Sequence, residues 1–189
     1  MTHMNHFGES LAASHAAEDL PIWVEIYRKA FPNVVGIHNH RQDGDHQRQG
    51  IDRSLVLDNG KRLWVDEKVR FRNKKTGKVY DDIALEYLSD RDRRVPGWVC
   101  KPLLCDYIAY AIAPLGKCYL MPVLQLQQAW QRNGEAWLKE YGTIPAPNEW
   151  RGRSWVTLSC GVPPAVLFPE IGKCLRVTFK SYELHQEAA

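Results

Sequence analysis

The sequence predicts a mixed α/β fold, with a mixed central sheet flanked by helices. Three observations carry that expectation. Apolar residues recur at helical spacing between Asp19 and Phe31, where Trp23, Ile26, Tyr27 and Ala30 share a face. Two alternating apolar–polar runs flank Asp58-Asn59-Gly60, a strong hairpin signal. A second helical pattern, LQLQQAWQRNGEAWLKEYG (124–142), carries Trp130, Trp137 and Leu138 as an apolar stripe, read as core.

The elements follow in order. The first helix, about 19–31, tolerates Pro21 because the first turn has no intrahelical N–H bond to lose. GIHNHRQDGDHQRQG (36–50) reads as a polar loop. Strands are expected at about 50–57, 61–71 and 79–88, joined by DNG and NKKTGK. PLLCDYIAYAIA (102–113) reads as a helix, KCYLMPV (117–123) as a short buried strand, and 124–142 as a helix despite Gly134. SWVTLSC (154–160), a Pro-rich turn and a last strand KCLRVTF (173–179) follow. The expectation is one domain, 1–189, with an αβββαβ core over about 19–123 and a C-terminal extension of strands and helix over about 124–189.

A chain of 189 residues can bury a substantial core. With 44% hydrophobic and 25% charged residues, its composition is that of an ordered globular protein. A net charge of +3 is too small to argue for nucleic acid, but its distribution says more. Lys61 to Lys78 holds eight Lys or Arg and two acids, whereas Asp81 to Asp92 is acidic. That points to a sided electrostatic surface, although a solvated loop around RNKKTGK explains the same charges. Cysteines 100, 105, 118, 160 and 174 form no CxxC pair, which fits reduced core thiols. MTHMNHFGES lacks the basic region and apolar core of a signal peptide, and no apolar run approaches the ~20 residues of a membrane span. A cytoplasmic protein without a membrane partner is expected.

The hairpin raises a question, because Asp52, Asp66, Glu67 and Lys68 stand in strands, where charges are usually depleted. If 58–60 is a three-residue loop with Gly60 left-handed, opposed residue numbers sum to 118: Leu55 faces Leu63 and Asp52 faces Asp66. Side chains alternate along a strand, so Asp52, Asp66 and Lys68 share one side and Glu67 takes the other. A two-residue Asn59-Gly60 turn is the competing register. It sets Asp52 against Glu67 and breaks the Leu55–Leu63 pair. The first register is the expectation. Opposed carboxylates repel, and a hard divalent cation such as Mg²⁺ relieves the repulsion. Lys68 then stands where it can hold a water or offset phosphate charge. The plainer reading is a surface hairpin in which Lys68 neutralises Asp66.

At these residues the sequence resembles the PD-(D/E)XK nuclease superfamily, with its restriction-endonuclease-like fold. Asp52 in GID matches the first acid, and Asp66-Glu67-Lys68 matches (D/E)-X-K. Ile51 replaces the signature proline, and the residues after about 142 have no counterpart in the pattern. The resemblance implies a metal-dependent nuclease acting on nucleic acid, with DNA the first expectation. Asp52, Asp66 and Lys68 would be catalytic, and Mg²⁺ or Mn²⁺ would sit on Asp52, Asp66 and the main-chain carbonyl of Glu67. It further implies 5′-phosphate and 3′-hydroxyl products, and homodimers are common in the superfamily. Members often add an acid from the first helix. Asp19 is the candidate, since it shares the face of Trp23, Ile26 and Tyr27. An N-cap role before Leu20-Pro21 explains it equally, and Glu18 and Glu25 are runners-up.

Arg53, Arg70, Arg72, Lys74 and Lys75 are the candidate nucleic-acid contacts, and solvent-facing strand ends explain the arginines equally well. His38, His40 and His46 suggest a transition-metal site, but a polar loop near a substrate groove is favoured because no second ligand group stands at a recognisable spacing. Gln49 is placed at a strand end and Asp82 with Glu86 on a third-strand face, each read first as structural. Lys101 and Asp106 sit near the start of the expected second helix. Trp98 is a base-stacking candidate better explained by packing. Two rival readings remain: a nucleic-acid-binding module of the same fold without turnover, and a structural or protein-binding domain with an ion-paired hairpin.

Overall fold

The computed structural model describes residues 5–6, 21–40, 42–73 and 76–181. Along the chain lie β1 (Asn5–His6), α1 (Ile22–Ala30), β2 (Val34–Asn39), α2 (Gly44–Arg48), β3 (Arg53–Leu57), β4 (Arg62–Arg70), β5 (Ile83–Asp90), β6 (Val95–Pro96) and β7 (Tyr107–Ile112). They are followed by β8 (Lys117–Pro122), α3 (Val123–Tyr141), β9 (Ile144–Trp150), β10 (Arg153–Val162), α4 (Pro164–Ile171) and β11 (Leu175–Thr178). The fold is mixed α/β. No described helix is long and apolar enough to cross a membrane.

The chain divides into two compact units. One comprises Leu20–Asp81, Leu104–Pro122 and Lys173–Ala189; the other comprises Met1–Asp19, Asp82–Leu103 and Val123–Gly172. The first unit holds a six-stranded sheet in the order β11-β8-β7-β4-β3-β2. Its strands β2, β3 and β4 form an antiparallel meander, β7 runs parallel to β4, and β8 and β11 return antiparallel. Helix α1 seats Trp23, Ile26 and Tyr27 in the core with no exposed surface, the face that the spacing predicts.

The second unit holds the sheet β1-β9-β10-β5-β6 and helices α3 and α4. Gly134 lies mid-helix in α3 because a methyl there would meet the Trp130 ring at 3.0–3.3 Å. The glycine makes room for the indole, at a propensity cost of about 1 kcal/mol.

Three expectations are corrected. Residues 102–113 are not a helix: their apolar centre is β7, flanked on both sides by strands, with Ile108 to Ile112 at most 5% exposed. A strand buried on both faces reads as a continuous apolar run, which periodicity alone does not separate from a buried helix. The expected third core strand, about 79–88, does not join the hairpin. It begins at Ile83 and pairs with β10 and β6 in the other sheet. The polar loop 36–50 instead contains the end of β2 and the whole of α2. Strand β2 lies at the sheet edge, where polar residues are tolerated. Strand β9 and helix α4 occupy Pro-rich sequence that carried no strand or helix expectation.

Candidate functional site

The site grows from one turn. Gly60 takes a φ of +80°, its N–H donates to the Leu57 carbonyl at 2.9 Å, and the Leu57 N–H donates to the Lys61 carbonyl at 2.8 Å. The Asn59 side-chain oxygen accepts the Lys61 N–H at 3.0 Å. The loop therefore has three residues, and the register pairs Arg53 with Val65, Ser54 with Trp64 and Leu55 with Leu63. These are the pairs that sum to 118. Beyond the last ladder pair, the Asp52 N–H donates to the Val65 carbonyl at 2.9 Å, and Asp52 Oδ2 accepts the Glu67 N–H at 2.7 Å.

Alternation then sorts the side chains. Asp52 and Asp66 share one face with Lys68, and both acids are buried, Asp52 at 9% and Asp66 at 4% exposure. Lys68 Nζ donates to Asp66 Oδ1 at 2.6 Å, with the Glu67 carbonyl oxygen at 3.4 Å. Burial pushes the Asp66 carboxyl up to about 7; Lys68 opposes that rise, and the neighbouring Asp52 charge adds to it. Two buried acids crowd against one half-buried amine, an arrangement that favours a proton on Asp66. Cys105, just before β7, belongs to this corner. Burial first, then the Asp66 charge, holds its thiol up at about 12, so it is no nucleophile at neutral pH.

Glu67 occupies the opposite face with a different task. Its Oε1 accepts the Tyr27 hydroxyl at 2.6 Å and Arg53 Nε at 2.7 Å, and Arg53 Nη2 approaches Oε2 at 3.3 Å. Burial raises the Glu67 carboxyl to about 7 against the pull of Arg53 and Tyr27. This triad ties α1 to β3 and β4. It also corrects the expectation for Arg53: at 8% exposure and paired with Glu67, Arg53 is a core residue and no phosphate contact. Of Glu67, only the main-chain carbonyl lies toward Lys68.

The other expected residues scatter. Arg70 continues the Asp66–Lys68 face, with its guanidinium 4.8 Å from the Tyr80 ring centre and Nη1 3.5 Å from the Tyr110 hydroxyl. Arg72 Nη1 donates to the Gly77 carbonyl at 2.8 Å and closes the following loop. Asp19, Glu18, Lys74 and Lys75 lie outside the described residues. Gln49 is exposed, and its carbonyl accepts the Leu104 N–H at 3.2 Å. Asp82 and Glu86 belong to the other unit. Asp106 starts a strand rather than a helix: its Oδ2 accepts the Trp64 N–H at 2.8 Å and its own N–H donates to the Trp64 carbonyl at 2.7 Å, joining β7 to β4. Trp98 is 7% exposed and packs.

A second cluster is read only in part: the sequence offers His38, His40 and His46 as a transition-metal site and favours a polar loop instead. His40, Asp43 and His46 each offer a ligand atom, all within 4.8 Å of one another. Asp43 is the missed member. Its only sequence signal is an aspartate before a glycine that opens a short helix with His46 at i+3.

No family model, no curated protein and no solved structure matches the chain.

Proposed function

We propose that the chain is a divalent-metal-dependent nuclease of PD-(D/E)XK type. The observation that carries this is the pair of buried acids, Asp52 and Asp66, on one sheet face with the Lys68 amine 2.6 Å from Asp66. The element order supports it further. A helix precedes three antiparallel strands, the first acid opens the middle strand, D-X-K lies on the third, and the next strand of the sheet runs parallel to it. That order resembles the restriction-endonuclease-like core. A distinct block, Asp82–Leu103, stands in the crossover before β7, where that core carries a helix.

In this reading Asp52, Asp66 and the Glu67 carbonyl hold Mg²⁺ or Mn²⁺, which polarises a phosphodiester and lowers the pKa of water. Lys68 orients the attacking water and offsets charge that develops on the phosphate. A cation held there would compete with the proton that the raised Asp66 carboxyl retains, so metal affinity would rise with pH. Arg70, on the same face, is the proposed partner of the neighbouring phosphate. Nucleic acid, with DNA first, is the proposed substrate.

The test is incubation of wild type, Asp66→Asn and Lys68→Ala with DNA and RNA, single- and double-stranded, in Mg²⁺, Mn²⁺ or EDTA. Cleavage by the wild type alone, and only with metal, supports the reading. The ion-paired hairpin is the second reading, favoured by the short Lys68–Asp66 contact and by the Asp52 carboxylate accepting the Glu67 N–H. It predicts no cleavage and no metal-dependent change in stability.

A further inference from the structure

The His40–Asp43–His46 cluster is built rather than incidental. Asp43 Oδ1 accepts the N–H groups of Asp45 and His46 at 3.0 and 3.3 Å, which fixes the start of α2. Its other oxygen, Oδ2, lies 2.6 Å from His46 Nδ1. A helix-capping pair explains those two residues but not the third. The His40 ring comes from beyond β2, stacks on the His46 ring at 4.3 Å, and is fixed by Ser54 Oγ at 2.9 Å from its Nε2. The Trp64 ring walls off both imidazoles, with centroids at 5.6 and 5.3 Å. Two imidazoles, a carboxylate, an outer partner for one imidazole and an apolar wall are the parts of a metal centre.

We propose that His40, Asp43 and His46 bind a borderline transition ion such as Zn²⁺, at a site separate from the Asp52–Asp66 pair. The donor set decides the class of ion: imidazole suits Zn²⁺ and its neighbours, whereas Mg²⁺ prefers oxygen alone. Donor atoms held tetrahedrally about 2.0–2.2 Å from one ion stand about 3.3–3.6 Å apart. The observed span of 4.8 Å therefore closes by roughly 1 Å or slightly more, through side-chain rotation. Three protein ligands leave a coordination position open. The His40 side chain shares the sheet face of the Asp52 acid, because the His40 N–H donates to the Asp52 carbonyl at 2.8 Å and β2 pairs His38 with Ser54. The metal site itself does not depend on the nuclease reading.

The experiment uses the full chain without an affinity tag, stripped by chelator and titrated with Zn²⁺ and with Co²⁺. Metal analysis gives the stoichiometry, and visible absorption reports the Co²⁺ ligands. One ion per chain is expected, with a Co²⁺ spectrum free of thiolate charge transfer. It should persist in the Asp52→Asn/Asp66→Asn double variant. His46→Ala and Asp43→Asn should each weaken binding at least tenfold; both positions border solvent, and circular dichroism confirms their folding. His40→Ala should do the same, with the solvent-side variants deciding the matter if it fails to fold. Binding that is absent from the wild type, or unchanged in His46→Ala and Asp43→Asn, overturns the proposal and assigns any bound Zn²⁺ to other histidines or to cysteines. Zn²⁺ binding without cleavage of any nucleic acid retains this site and removes the nuclease reading; cleavage without Zn²⁺ binding does the reverse.

Discussion

Asp66 is where the physics of the site is sharpest. Its folded-state pKa of about 7 stands above the usual unfolded value near 3.9. The folded state therefore favours the proton. The stabilising contribution is fully present below about pH 4 and is lost as pH rises through about 7. Asp66→Asn removes the charge that causes the loss. The melting temperature of the metal-free variant, relative to metal-free wild type, should thus grow more favourable from pH 4 to pH 7.5. A constant difference across that range contradicts the assignment. At pH 7.5 the variant should melt at least as high as metal-free wild type and gain little from Mg²⁺, whereas the wild type should gain by mass action. Lys68→Ala should leave metal-dependent stabilisation in place while cutting turnover by about 10²–10³. Loss of both together would make Lys68 a structural partner only. These residues were legible because chemistry and spacing coincide: an acid before one strand and D-X-K on the next need only a turn to bring them together. Arg53 was not legible, because an arginine in a strand looks the same from sequence whether it meets water or a buried glutamate.

The hairpin was the most readable element, since Gly60 can take the left-handed conformation and Leu55 and Leu63 must both turn inward. That sets the register, and with it the face on which every charge falls. Strand β7 was misread for the opposite reason. With both faces covered it has no polar side to reveal a period of two. Strand β2 was hidden by its place at the edge, where histidine and asparagine cost little. The Tyr27–Glu67–Arg53 triad makes a prediction at this scale. Glu67→Ala leaves the Arg53 charge buried without its partner and should cost about 3–5 kcal/mol, seen as a lower midpoint in urea. Arg53→Met together with Glu67→Gln should recover much of that loss, because no unpaired buried charge remains. If the single variant costs under ~1 kcal/mol, the low end for a partner removed from a buried pair, water must reach the triad and α1 is not anchored there.

At the scale of the whole molecule, both candidate centres fall within the unit built from Leu20–Asp81, Leu104–Pro122 and Lys173–Ala189. The division into two units was not legible. The acidic strand near 83–90 looks locally like a continuation of the hairpin, and only long-range pairing with β10 sends it to another sheet. The basic segment Lys61–Lys78 predicts a salt-dependent interaction with nucleic acid. Removing one cation that neutralises a phosphate should lower the log–log salt slope by roughly 0.9 on duplex DNA. Arg70→Ala with Arg72→Ala should flatten it, and adding Lys74→Ala with Lys75→Ala should flatten it further; an unchanged slope assigns these charges to solubility. The most direct measurement of the central claim is nicking of supercoiled plasmid by the purified wild type and by Asp66→Asn prepared in parallel, each in Mg²⁺ and in EDTA. Nicked and linear products are expected from the wild type with Mg²⁺, and intact plasmid in the other three reactions. Equal nicking by both proteins, or by the wild type in EDTA, would contradict metal-dependent cleavage at the Asp52–Asp66 pair.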